Sequence, residues 1–153
     1  MATNKEVLLL DTSIILDIVD PNRAGHVDAA ALLMYASENP KSVELTCCVS
    51  SYKDAYYILT RLYKNEPDAR DVVKQLMTCL VQPSDLLASY GANAIEGNEP
   101  NFEDGLIREC AENLDAAVIV TRDASAFEHS LIPHMDAAAY LSKKQFDYAV
   151  IDF

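Results

Sequence analysis

The sequence predicts an α/β domain built on a mostly parallel sheet. Three observations predict it. Short apolar runs, EVLLL at 6–10, VELTCCV at 43–49 and AAVIVT at 116–121, read as buried strands. Longer segments with apolar residues at helical spacing lie between them. Strands that alternate with helices give the crossover pattern of a parallel sheet covered by helices. A chain of 153 residues, half of them hydrophobic, suits one such domain with a sizeable core.

The elements follow in order. EVLLL ends at Asp11 and is the first strand. TSIILDIVD is a short helix that Thr12 or Ser13 can cap, and it stops before Pro21. AGHVDAAALLMYASENP is alanine-rich and helical up to Asn39-Pro40. The second strand, 43–49, leads into YKDAYYILTRLYK, with Ser50 or Ser51 as cap. Tyr52, Ala55, Tyr56, Leu59 and Tyr63 keep helical spacing there. Pro67 suits the start of the helix PDARDVVKQLMT. TCLVQP predicts a third strand, and SDLLASYGANAIEG a helix ended by Gly97. GNEPN is a turn. NFEDGLIRECAENL is a helix in which Asn101 can cap and Asp104 can be the third residue. AAVIVT is the next strand. ASAFEHS is read as one helical turn, 131–135 as a short strand and DAAAYLSKK as the last helix. The tail QFDYAVIDF alternates, so it predicts an edge strand or a pairing with another chain.

Several function classes are excluded or disfavoured. A net charge of −12 argues against a broad basic face for nucleic acid, although acids in one cleft can reach phosphate through divalent cations. No apolar run approaches the roughly 20 residues that span a bilayer. The start, MATNKEVLLLD, does not read as a signal peptide, so a cytoplasmic protein is expected. Cys47, Cys48, Cys79 and Cys110 show no zinc spacing and are expected as buried, reduced thiols. His26, His129 and His134 share no ligand motif. No glycine-rich phosphate loop occurs, which argues against Rossmann or P-loop nucleotide binding.

The chemistry gathers in the acids. In an open parallel sheet, ligands bind at the carboxyl ends of the strands. Asp11 follows the first strand directly, and Asp123 follows AAVIV by two residues. Asp54 and Asp104 are expected in first turns of helices that start near that edge. Glu103 falls near the middle of an apolar helix face, so it must lie beyond the core or point into the site. Four converging carboxylates repel one another, and a divalent cation is the usual compensation. All-oxygen donors suit Mg²⁺ or Mn²⁺.

VLLLDTSIILDIV, SSYKDAYYIL, NFEDGLIRECAENLDAAVIVTRDASAF and IPHMDAAAYL together resemble the PIN domain family over most of the chain, from near residue 6 to about 141. The resemblance implies a three-layer α/β/α sandwich as a single domain over 1–153. It implies a Mg²⁺- or Mn²⁺-dependent ribonuclease, with many bacterial relatives acting as VapC-like toxins. Carried over by position, Asp11, Asp104 and Asp123 match family acids and would hold the metal. Asp54 stands where glutamate is frequent. Ser13 stands where asparagine is frequent, and Asn101 where the closest subgroup often has an acid.

The leading expectation is therefore an endoribonuclease. Asp11, Asp54, Asp104 and Asp123 would be catalytic. Thr12, Ser13, Thr121 and Glu103 would be supporting groups. Lys53, Arg61, Arg108 and Arg122 are phosphate-contact candidates. RNA as substrate, an antitoxin protein and a homodimeric partner complete this expectation. The alternative is a non-catalytic PIN-like interaction module with a surface made by Tyr52, Tyr56, Tyr57 and Tyr63. A small-phosphate hydrolase is a weaker third class, because DTS lacks a DxD spacing.

Overall fold

The computed structural model describes residues 4–149 and Ile151. Five strands form one sheet in the order β3-β2-β1-β4-β5: β1 (Glu6–Leu10), β2 (Val43–Cys48), β3 (Gln82–Ser84), β4 (Val118–Val120) and β5 (His134–Met135). Every pairing is parallel, with Leu8 opposite both Leu45 and Val118. Seven helices surround the sheet among the described residues: α1 (Thr12–Val19), α2 (His26–Glu38), α3 (Val49–Tyr63), α4 (Glu66–Gln75), α5 (Ala88–Glu96), α6 (Phe102–Asn113) and α7 (Ala137–Lys143).

The period of two along the strands makes the layers. Leu8, Leu10, Val118 and Val120 join one core with residues of α1, α2, α3 and α7. Leu9, Cys48 and Ile119 face the opposite core with Ile107 and Cys110 of α6 and Phe127. Leu8, Leu9 and Leu10 are all fully buried, each worth about 1.5–3 kcal/mol. That two-sided burial explains why β1 reads as a continuous apolar run rather than an alternating one. The α/β/α sandwich with a parallel sheet is thus observed.

Some local expectations change. Asp11, not Thr12 or Ser13, caps α1. α3 begins at Val49, immediately after the strand, so neither Ser50 nor Ser51 is its cap. TCL does not begin a strand. Leu76–Leu80 instead extends α4 as a π-helical turn, in which Val81 N donates to Leu76 O at 2.9 Å, and β3 starts only at Gln82. That turn carries Cys79 to the surface; Cys47, Cys48 and Cys110 are buried free thiols as expected. α5 starts at Ala88, after Ser84 has joined β3. Residues 124–129 form hydrogen-bonded turns rather than a helix.

No strand forms among the described tail residues. Phe146 instead packs edge-on against Tyr35, with ring centroids 5.3 Å apart, and the Tyr148 hydroxyl donates to Asp28 Oδ1 at 2.6 Å. Val150, Asp152 and Phe153 of that tail lie outside the described residues.

Candidate functional site

The carboxyl edge of the sheet carries the site. Asp11 leaves β1 with its backbone N–H bonded to Val120 O of β4 at 2.9 Å. It is extended, at φ −64° and ψ 156°, as an N-cap requires. Asp11 Oδ1 accepts from Thr12 N at 2.7 Å, and Oδ2 accepts from Ser13 Oγ at 2.9 Å and Thr121 Oγ1 at 2.7 Å. The cap reading and the site reading therefore share one residue. Burial pushes this carboxyl above the usual carboxylate range, and Asp123 adds to the rise; the Thr121 and Ser13 hydroxyls and Thr12 N oppose it.

Thr121 also holds the next acid, because Asp123 N donates to its hydroxyl at 3.0 Å. Asp123 Oδ1 accepts from Ser125 N at 3.0 Å and Ser125 Oγ at 2.7 Å, and these bonds hold its carboxyl below the ordinary range.

α6 begins beside this pair. Asn101 caps it, with Oδ1 accepting from Asp104 N at 2.9 Å. The capping contact uses the backbone of Asp104, and its carboxylate accepts no hydrogen bond among the described residues. That carboxyl is pushed up to about 6, first by burial and then by the charges of Asp11, Glu103, Asp123 and Glu99. Glu103 points into the site: its Oε1 accepts from Thr12 Oγ1 at 2.7 Å. Thr12 Oγ1 also lies 2.8 Å from Ser51 Oγ on α3. One hydroxyl thus ties α1, α3 and α6 together next to Asp11.

Asp54 stands apart. Because α3 starts at Val49, Asp54 lies beyond the first turn, and its Oδ1 is 3.3 Å from Lys53 Nζ. It is three residues beyond Ser51, hence on a neighbouring part of the same helix surface. The basic candidates also divide. Arg108 is largely buried, with Nη2 3.1 Å from Glu109 Oε1 and Nη1 3.9 Å from Glu99 Oε1. Arg61 lies over the Tyr57 ring, 5.2 Å from its centroid. Arg122 reaches Asp17. Of the tyrosines, Tyr52 is core and donates to Val81 O at 2.6 Å, and Tyr56 donates to Glu66. Tyr57 and Tyr63 are exposed.

Sequence reasoning missed Asp17, Arg23 and Glu99. Asp17 is a charge inside the apolar run TSIILDIV, which was a usable signal. Glu99 sits in a polar turn where nothing marks it, yet its carboxylate is buried and accepts no hydrogen bond among the described residues.

Among the described residues, no three His, Cys, Asp or Glu side chains stand close enough to hold one ion as they lie. The fit to a divalent cation rests instead on charge and donor type. Beyond burial, Asp123 adds to the rise of Asp11, and Asp11, Glu103 and Asp123 add to that of Asp104; all donors are oxygens, and Asp104 is uncommitted.

Fold and site together define a three-layer α/β/α domain with carboxylates gathered at the carboxyl edge of its parallel sheet. The model of the PIN domain family matches residues 7–125, and the chain belongs to that family. Among curated proteins, none matches it. Solved structures similar to it include VapC20 of Mycobacterium tuberculosis, described as a toxin that cleaves the sarcin-ricin loop. That likeness has 17% identity and a TM-score of 0.61, covering 76% of this chain and 90% of that one. VapBC2 of Rickettsia felis, bound to a DNA fragment from its promoter, matches with 15% identity and a TM-score of 0.64, covering 85% and 98%. VapBC-1 of nontypeable Haemophilus influenzae matches with 16% identity and a TM-score of 0.65, covering 86% and 98%. At such identities these likenesses establish the fold. No helix of the described residues is long and apolar enough to cross a membrane.

Proposed function

We propose that the protein is a Mg²⁺- or Mn²⁺-dependent endoribonuclease and the toxin of a toxin–antitoxin pair. The observation that carries this reading is the uncommitted Asp104 carboxylate, raised first by burial and then by Asp11, Glu103 and Asp123 at one edge of the sheet. Membership of the PIN family and the fold shared with VapC proteins support it. Asp11, Asp104 and Asp123 would hold the cation, which would supply Lewis-acid activation of water and charge neutralisation at phosphorus. Thr121 and Ser13 hold Asp11 in place, and Ser125 holds Asp123. Thr12 fixes Glu103 beside Asp104. Asp54 would orient the attacking water from α3. An antitoxin is the proposed protein partner, a homodimer the proposed assembly and the cytoplasm the proposed site of action.

Water as nucleophile leaves 5′-phosphate and 3′-hydroxyl ends. Cleavage of single-stranded RNA is measured in Mn²⁺ and in EDTA, with the ends mapped. Asp11→Asn and Asp123→Asn should each abolish cleavage while the protein stays folded, and Asp54→Glu should keep or raise it. Cleavage in EDTA, or a 2′,3′-cyclic phosphate product, would overturn the mechanism. A second reading, a non-catalytic interaction module, is favoured by exposed Tyr57, Ile58, Leu62 and Tyr63 on α3. Metal-dependent stabilisation without cleavage of any RNA would select it.

A further inference from the structure

Asp17 is fully buried on α1, yet two arginines from different segments converge on it. Arg23, in the loop before α2, places Nε 2.7 Å from Oδ1. Arg122, between Thr121 and Asp123, places Nε 2.7 Å from Oδ2 and Nη2 3.0 Å from Oδ1. Room for this comes from Gly25, where a Cβ would lie 2.1 Å from Asp17 Oδ2 and 3.0 Å from Arg122 Cδ. His26 Nδ1, 2.8 Å from Asp17 O, ties α2 to the same point.

One carboxylate cannot neutralise two guanidinium groups. Neither side chain makes a hydrogen bond to any other group among the described residues, and 31% of the Arg23 side chain and 39% of the Arg122 side chain are exposed. Among the described residues no other acid pairs with either one. The contrast with the other arginines is sharp. Arg70 pairs with Glu66, Arg108 lies between Glu99 and Glu109, and Arg61 covers Tyr57. In a chain of net charge −12, a built and locally positive point next to the carboxylate edge is the exception.

We propose that Arg23 and Arg122, fixed by Asp17, form a subsite for a backbone phosphodiester of single-stranded RNA flanking the scissile bond. The proposal rests on the nuclease reading for its ligand. Arginine suits the role because its planar fork binds phosphate bidentately, and a guanidinium held on a buried carboxylate has little side-chain entropy left to lose. The subsite also offsets the repulsion that an acidic protein imposes on RNA.

Binding of a single-stranded RNA oligonucleotide is measured across salt concentrations on the full chain carrying Asp11→Asn, alone and with Arg23→Gln or Arg122→Gln. Each arginine variant should weaken binding several-fold and make the slope of log K against log salt shallower by about 0.7. Equal affinity and slope in a folded variant would overturn the proposal. If a glutamine variant does not fold, Arg→Lys at the same position should weaken binding and keep the slope; unchanged affinity would count against the subsite. In the chain with Asp11 intact, KM for RNA should rise more than kcat falls. A fall in kcat alone would make the pair a structural clasp. If the native chain cleaves no RNA, the nuclease reading fails separately, and inorganic phosphate then judges the arginines. Phosphate should raise the melting temperature of the native chain more than that of either variant, and equal rises would overturn the subsite.

Discussion

At the scale of the residue, Asp104 separates a cap from a site. Its backbone N–H completes the Asn101 cap, so Asp104→Asn leaves that bond intact. Burial, and then the neighbouring acids, push its carboxyl up to about 6, above the roughly 3.9 of an unfolded aspartate. The folded state therefore binds this proton more tightly than the unfolded one. Without metal, the stabilising effect of that proton is complete below about pH 4 and is lost as pH rises through about 6. Melting temperature against pH in EDTA should fall across this window in the native chain and fall less in Asp104→Asn, which should be the more stable above it. Parallel profiles would show that Asp104 is not raised. Mn²⁺ at roughly 100-fold excess over Kd should stabilise the native chain by about 2.7 kcal/mol, and Asp104→Asn should lose most of that gain. The positions of Asp11 and Asp123 at the carboxyl edge were legible because each closely follows an apolar strand run, and that of Asp104 because it stands within a recognisable cap. Asp17 and Glu99 were not, because their partners come from other segments of the fold.

At the scale of the element, α5 and α6 pack through two glycines with opposite expected behaviour. Alanine in a helix is favoured over glycine by about 1 kcal/mol when space is free. At Gly91 of α5 a Cβ would meet, among the described residues, only Phe102 Cζ, at 3.9 Å, so Gly91→Ala should stabilise by roughly 0.4–1 kcal/mol. At Gly105 of α6 a Cβ would lie 2.8 Å from Ala94 Cβ and 3.1 Å from its Cα. The helices must separate there, and overpacking of about 1–3 kcal/mol outweighs the propensity gain. Gly105→Ala should destabilise, and it should also weaken the metal response because Asp104 is the preceding residue. Denaturant titration of both variants checks the signs; a stabilised Gly105→Ala would show that the helix pair is loosely packed. Helices and buried strands were largely readable from periodicity. The π-helical turn was not, because TCLV is equally β-favouring, and the outcome depends on Leu76 O finding Val81 N. The start of α3 escaped for a related reason. Cys48 ends the strand in an extended conformation without a side-chain cap, so no polar residue marks the boundary.

At the scale of the whole molecule, the tail decides between two uses of apolar surface. Its alternating pattern suited an edge strand or a pairing with a second chain. Phe146 and Tyr148 are instead half-buried against their own domain, on Tyr35 and through Asp28 of α2, and the sheet continues without them. A period of two can thus report a strap over helices as well as a strand, since an extended segment also turns alternate side chains inward. The strap links α7 to α2 across the face opposite α6, far in sequence from the acids. Deleting residues 146–153 should therefore lower stability, on the order of 2–4 kcal/mol for aromatic contacts that are only partly buried. It should leave metal binding and RNA cleavage intact at temperatures where the shortened chain is folded. The proposed homodimer should survive, because the tail's described aromatic side chains are already covered within one chain. Light scattering and a melting curve on the shortened chain test both statements. A halved mass with an unchanged melting temperature would show that the tail belongs to the interface between copies rather than to the strap.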